Sequence, residues 1–433
     1  MNDSCENPAG HIARIMKRLY EQHLTTTSGG NISVRDAEGC IWITPGGIDK
    51  GNLLPEDIVR ILPDGTFEGR HRPSLEAPIH LGIYRIRPDV HAVLHAHPAA
   101  LLAYSLAGRL PNTSLLPQSA LLCRELATVD YACPGSDALL SKVSEPFRKG
   151  AALAVMKNHG VISACGDLDT AFQRLELLNF CALLETEASR NHASIHSISA
   201  RHMEIYKLKV ETCPQTYSPK PMSNEEKALR TQMCSFISRA CRGHLFSSTQ
   251  GSLMCRLDDD AFLITPAKKD RYLLQPDDLV RIDKGRCEDG KSPSRSMFLA
   301  DCIFRRHPLV QCMMVASPLH VMSYAVTDRE LSAARLAEAY MMLRTVKRFP
   351  FGTTFMQPAL FAEEISPESP VSLVENDCAL AVGPSLLSVY DRMEVLENSA
   401  MADALAHSLT ENPAVLNNAE LSELAESFPL KCR

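Results

Sequence analysis

Apolar positions recur along this chain in two alternating rhythms. The stretch "HIARIMKRLYEQHL" (residues 11–24) places them at helical spacing, whereas "GCIWITPGG" (39–47) reads as a short strand running into a tight turn. "PSLEAPIHLGIYRIRP" (73–88) predicts a helix opened by Ser74 and stopped before Pro88, and "HAVLHAHP" (91–98) predicts a strand. "ALAVMKNHGVISAC" (152–165) holds one or two further strands, and "DLDTAFQRLELLNFCALLETEASR" (167–190) is a long amphipathic helix. Helices and strands in alternation predict an α/β domain built around a central sheet.

The same pattern then returns. "ITPGGIDKGNLLPEDIVRI" (43–61) aligns without a gap with "ITPAKKDRYLLQPDDLVRI" (264–282), 221 positions on. "PSLEAPIHLGIYRIRPDV" (73–90) matches "PSRSMFLADCIFRRHPLV" (293–310), and "NHGVISACGDLDTAFQRLELL" (158–178) resembles "NDCALAVGPSLLSVYDRMEVL" (376–396). Three blocks in one order at nearly constant offset indicate a tandem duplication. At 433 residues the chain has length enough for two cores. We expect one domain over residues 1–210, a proline-containing linker over 211–224 and a second domain over 225–433.

Candidate chemistry separates the copies. In "AVLHAHPAA" His95 and His97 stand two apart, which on a strand puts both imidazoles on one face, a spacing suited to one metal ion. His159, before Gly160 where the backbone is expected to turn, and Glu76 in "RPSLEAPIH" complete a normal set for Zn²⁺ or another divalent ion. Taken singly, each has a plain alternative: a solvated strand face, a turn residue, a favourable charge at a helix start. At the aligned positions of the second copy, Glu76 becomes Ser296, His95 Val315, His97 Ser317 and His159 Asp377. Joint loss is the pattern expected of one site that the second copy has given up. Two glycine-containing turns, one with Gly30, Asn31 and Ser33 and one with Gly46 and Gly47, expose backbone N–H groups that can hold an anion, and Ser74 would bring a helix N-terminus to the same place.

Composition narrows the partners. A net charge of −6 and a pI near 6.2 provide no basic surface for nucleic acid. No apolar run reaches the length of a membrane span, and "MNDSCENPAG" lacks the regions of a signal peptide, so no membrane association is expected. Fifteen cysteines without a C-x-x-C pair fit reduced thiols in a cytoplasm.

In order, G-N-x-S, T-P-x-G, P-S-x-E with a histidine four residues after the Glu, H-x-H and a late H-G resemble the class II aldolase/adducin family. Its members include fuculose- and rhamnulose-phosphate aldolases, ribulose-phosphate 4-epimerase, methylthioribulose-phosphate dehydratase and related decarboxylases. The resemblance covers residues 11 to about 200 with all motifs, and 225 to about 410 with the fold pattern only. It implies two tandem three-layer α/β/α sandwich domains, a Zn²⁺ site at His95, His97 and His159, and Glu76 as ligand or acid/base. It places a phosphate cradle at Asn31, Gly46, Gly47 and Ser74 and makes the chain a cytoplasmic metal-dependent lyase of carbohydrate metabolism, acting on a small phosphorylated sugar or hydroxy-acid. Two departures qualify the substrate. Leu75 stands where the sugar-phosphate aldolases usually carry a second serine, and residues 112–127 offer no tyrosine as proton donor, Tyr131 reading as a packing residue. Decarboxylation, dehydration or 4-epimerisation are therefore the alternatives to aldol cleavage, and a metal-free, adducin-like scaffold is the alternative of another class. The family's fourfold tetramers imply a homodimer whose four domains form a pseudo-tetrameric ring, the degenerate copies supplying matching surface.

Overall fold

The structure, a computed structural model, describes residues 7–190, 193–210, 215–219 and 221–429. It forms two compact units: residues up to 113 together with 118–183, and residues 114–117 together with 184–433. The expected linker at 211–224 falls partly outside the described residues.

In the first unit the strands are β1 (Asn31–Arg35), β2 (Ile41–Ile43), β3 (Val59–Ile61), β4 (Phe67–Glu68), β5 (Ala92–Ala96), β6 (Leu126–Val129), β7 (Leu153–Met156) and β8 (Gly160–Cys165). They make one sheet in the order β4-β3-β2-β1-β5-β8-β7-β6. Every pairing is antiparallel except β6 with β7. The second unit contains β9 (Thr216–Tyr217), β10 (Ser252–Arg256), β11 (Ala261–Ile264), β12 (Val280–Asp283), β13 (Arg286–Glu288), β14 (Cys312–Ala316), β15 (Val346–Phe349), β16 (Val371–Val374) and β17 (Cys378–Gly383). Its order, β15-β16-β17-β14-β10-β11-β12-β13-β9, is the first sheet read from its other end with β9 added at the edge. The parallel pair β15 with β16 falls at the place of β6 with β7. Duplication is thus written in topology as well as in sequence. β9, drawn from the expected linker, pairs in parallel with β13.

Strand side chains of the first sheet divide between two cores. Leu94, Val155 and Val161 point to one, with Ile12, Ile15, Met16 and Leu19 of the helix Pro8–Glu21 and Leu175 and Leu178 of the helix Leu168–Ser189. Their strand neighbours Val93, Ala154 and Ile162 point to the other, with Ile79 and Ile83 of the helix Ala77–Ile86 and Val143 and Phe147 of the helix Asp137–Arg148. Period-two alternation with both faces apolar requires a helix layer on each side, the three-layer sandwich. Each fully buried Leu or Ile here contributes about 1.5–3 kcal/mol relative to leaving it in water. Among the described residues no helix is long and apolar enough to cross a membrane.

Several boundaries differ from the sequence reading, each for a local reason. The helix after Pro73 begins at Ala77, with Glu76 at the cap position, so Ser74 lies ahead of it in a turn. Pro45 and Pro73 form a bridge, and Ser74 N–H donates to Thr44 O, which holds that segment against the end of β2. Strand β5 ends at Ala96, leaving His97 just beyond it before Pro98. The left-handed residue of the β7–β8 turn is Asn158 (φ 57°), not Gly160, which opens β8. Tyr131 is 58% exposed, so it is not a packing residue; its carbonyl accepts from Lys142 Nζ.

Candidate metal centre

β5 and the β7–β8 turn bring the three histidines together. The rings of His95 and His97 meet edge-on at 4.6 Å between centroids, and His159 lies 5.0 Å from His95 and 5.8 Å from His97. One nitrogen from each falls within 4.8 Å of the others. His95 donates its Nδ1–H to the Val161 carbonyl at 3.0 Å, which turns the Nε2 lone pair inward. His97 Nε2 stands 2.9 Å from that atom.

Glu76 is supplied by the start of the helix Ala77–Ile86. Its Oε2 lies 3.3 Å from His95 Nε2 and accepts from Asn31 Nδ2 at 2.8 Å. Its Oε1 lies 3.1 Å from His159 Nε2, out of hydrogen-bonding alignment, and is buried without a hydrogen-bond partner. Burial raises the Glu76 carboxyl, but the adjacent His159 and His95 imidazoles and the Asn31 amide outweigh it and hold it well below the usual carboxylate range. Burial, followed by the neighbouring imidazoles, lowers His97 to about 3, and His95 is lowered chiefly by burial. Neutral imidazoles and an ionised carboxylate are the donor forms a divalent ion takes.

The glycine of the H-G pair is explained by clearance. A Cβ on Gly160 would stand 2.5 Å from His97 Cδ2, 2.7 Å from His95 Cε1 and 2.7 Å from the Ala96 carbonyl. Gly30, at φ +69°, would meet the His95 carbonyl at 2.7 Å. Gly160 thus leaves room for the two rings, and Gly30 for the backbone that carries His95.

The residues expected to cradle an anion lie beside this cluster, with part of their capacity already committed. The Asn31 amide is held between Glu76 and His80, and Gly46 N–H donates to the Arg72 carbonyl at 3.2 Å. Ser74 Oγ accepts from Glu76 N–H at 3.3 Å, leaving its own proton to donate elsewhere. Gly47 is in the left-handed region (φ +70°), and a Cβ there would meet nothing within 4 Å. Ser33 is turned away into the core, where its hydroxyl meets His80 and Tyr84. Leu75 is 73% exposed at the place of the missing serine.

In the second unit an ion pair replaces the ligands. Asp377, at His159's position, is bound by both terminal nitrogens of Arg295, at Leu75's position, and accepts from Thr354 Oγ1 at 3.2 Å. Cys378 stands where Gly160 provides clearance, which is allowed because Val315 and Ser317 present no ring to avoid. A further acidic cluster, Asp36, Glu38 and Cys40, is accounted for by hydrogen bonds. The Asp36 carboxylate accepts from Glu38 N, Cys40 N and Trp42 Nε1, and Glu38 pairs with Arg60.

The family described as "Class II Aldolase and Adducin N-terminal domain" matches residues 10–186 and again 231–403. The chain is 32% identical over 172 residues to an L-fuculose phosphate aldolase of Methanococcus maripaludis, covering 40% of this chain and 92% of that protein. It is 34% identical over 169 residues to a 5-deoxy-D-ribulose 1-phosphate aldolase of Bacillus thuringiensis serovar kurstaki, covering 38% of this chain and 78% of that one. A solved L-fuculose 1-phosphate aldolase superposes with a TM-score of 0.42 at 26% identity, over 48% of this chain and 98% of its own.

Proposed function

This chain belongs to the class II aldolase and adducin family, and on that premise we propose that its first unit is a metal-dependent lyase acting on a small phosphorylated sugar or hydroxy-acid. The observation that carries the reading is the convergence of His95, His97, His159 and Glu76, with the Glu76 Oε1 left buried and without a hydrogen bond. A buried carboxylate oxygen left without a hydrogen bond among three imidazoles is costly unless a cation completes the set. The donors fit a divalent ion, and three imidazoles favour Zn²⁺, with His95, His97 and His159 as ligands and Glu76 beside or on it. Such an ion supplies Lewis acidity to the carbonyl and adjacent hydroxyl oxygens of a substrate.

The chain's own groups do the rest. Glu76 rests ionised, so it begins as a base, and Oε1, the oxygen that Asn31 does not hold, is the atom that takes and returns the substrate's proton. Asn31 holds the other oxygen and fixes which of the two is available. Ser74 and the Gly46–Gly47 turn orient the anionic end of the substrate, and burial of His95 and Glu76 limits water at the reacting atoms. Leu75, apolar and exposed where a second hydroxyl would assist a phosphate, favours decarboxylation or dehydration as the second reading. The metal-free scaffold alternative suits the second unit, whose ligand positions are sealed by Arg295 and Asp377.

Assays of the purified, metal-loaded protein on phosphorylated ketoses and on phosphorylated hydroxy- and oxo-acids test the proposal. Turnover that a chelator removes and a divalent ion restores is expected; no turnover on either class would contradict it. We also propose a homodimer in which two live and two degenerate units form the ring. Light scattering is expected to report about twice the 47.7 kDa chain mass, and a fully active monomer would refute this part.

A further inference from the structure

Behind Glu76 runs a chain of buried polar side chains. Asn31 Nδ2 donates to Glu76 Oε2, so Asn31 Oδ1 faces the other way, 2.5 Å from His80 Nε2. His80 Nδ1 lies 2.7 Å from Ser33 Oγ, and the Tyr84 hydroxyl, with its single proton, stands 2.8 Å from Ser33 Oγ and 3.0 Å from the Ser33 carbonyl. Glu76, His80 and Tyr84 are four residues apart along one helix edge, and Asn31 and Ser33 share one face of β1.

The direction of the bonds from Glu76 to Ser33 follows from chemistry. A flipped Asn31 would aim its oxygen at the Glu76 carboxylate, so the amide must point as it does. Its oxygen only accepts, so His80 must carry its proton on Nε2, and His80 Nδ1 must then accept from Ser33. Burial, then the His95 imidazole, lowers His80 to about 3, which keeps it neutral.

Buried polar networks often serve folding alone, and the duplication separates the two roles. At the corresponding positions of the second unit, Asn31 is Ser252, Ser33 is Met254, His80 is Ala300, Tyr84 is Phe304 and Glu76 is Ser296. Met254, Ala300 and Phe304 are simply core there. The same sheet and helix close without the network, and it has vanished together with the metal ligands. Lys50 gives the contrast. It is buried, its N–H donates to Thr27 O and its Nζ to Pro45 O, which ties the two glycine-containing turns. Its counterpart Arg271 is buried too, donates from N to Ser248 O and from its guanidinium to Gly251 O and Lys269 O. What the fold needs is kept in both copies; what only the site needs is kept in one.

We propose that Tyr84, Ser33, His80 and Asn31 form a positioning network for Glu76, in which His80, fixed as the Nε2–H tautomer, locks the Asn31 amide and so selects Oε1 as the oxygen presented to substrate. The inference rests on the lyase reading for its kinetic arm only. Residues that orient a ligating or reacting group are worth about 10–100-fold in activity or affinity. His80→Met fills the space but removes the donor, and is expected to lower kcat about 30-fold with KM and melting temperature little changed. His80→Gln keeps an N–H at the Nε2 position and is expected to recover most of that loss. Equal kcat in the two variants, or a fall in His80→Met accompanied by a collapse in melting temperature that His80→Gln shares, would overturn the proposal. Independently of any substrate, ¹⁵N spectra of the metal-free protein at neutral pH are expected to show His80 protonated on Nε2 alone. A proton on Nδ1, or on both nitrogens, would overturn it whatever the activity assays give, whereas absent turnover in the unmutated protein with the Nε2–H tautomer in place would count against the lyase reading and not against the network.

Discussion

Replacing Glu76 with glutamine is expected to lower turnover at least about 100-fold, the scale of losing a positioned acid/base, while the protein keeps its fold and most of its metal. Glutamine has nearly the same shape, and its carbonyl oxygen can still accept from Asn31 Nδ2, so the local hydrogen bond survives. What disappears is the ionised Oε1, the atom that stands buried and unbonded in the site. Three imidazoles remain to hold the ion. Steady-state kinetics beside elemental analysis of the same preparation separate the two effects. Undiminished kcat in Glu76→Gln would remove this residue from the mechanism; lost metal with lost activity would make it a ligand first.

The paired substitution His95→Ala with His97→Ala is expected to have the largest effect of all: loss of nearly all bound metal and of activity together. Two of three nitrogens go, and a lone His159 with a carboxylate is a weak site. The variant should still fold, because the second unit builds the same strand with Val315 and Ser317 in these places. It should nevertheless melt below the metal-loaded parent, since a ligand that binds only the folded state stabilises it by mass action. Elemental analysis and a thermal scan with and without chelator check this. Metal content unchanged from the parent would place the ion elsewhere.

Duplication, the α/β class and the four side chains that converge in the first unit are legible in the chain because each leaves a linear trace: a constant offset, a change of apolar period, a joint loss of His95, His97, His159 and Glu76 in the second copy. The site's finer construction is not. That His97 lies past the end of β5 depends on Ala96 being the last residue paired with β8, which no periodicity announces. Gly160 was read as a turn, but its purpose is clearance for two rings that come from a strand over sixty positions earlier. Tyr131 reads as a packing residue in sequence, and the structure leaves it in solvent. Sequence groups Ser33 with the anion cradle beside Asn31, yet its contacts with His80 and Tyr84 put it in the core behind Glu76. The signal for that network was present in the aligned copies, where Ser33, His80 and Tyr84 become Met254, Ala300 and Phe304, but it becomes readable only once the residues are seen to touch.

The central claim is one metal-dependent site per chain, in the first unit. Elemental analysis of the purified full-length protein, normalised to chain concentration, tests it most directly. The account predicts about one divalent transition metal per 433-residue chain, falling to none in the His95→Ala, His97→Ala variant. No bound metal in a preparation supplied with divalent ions, or two per chain, would contradict it.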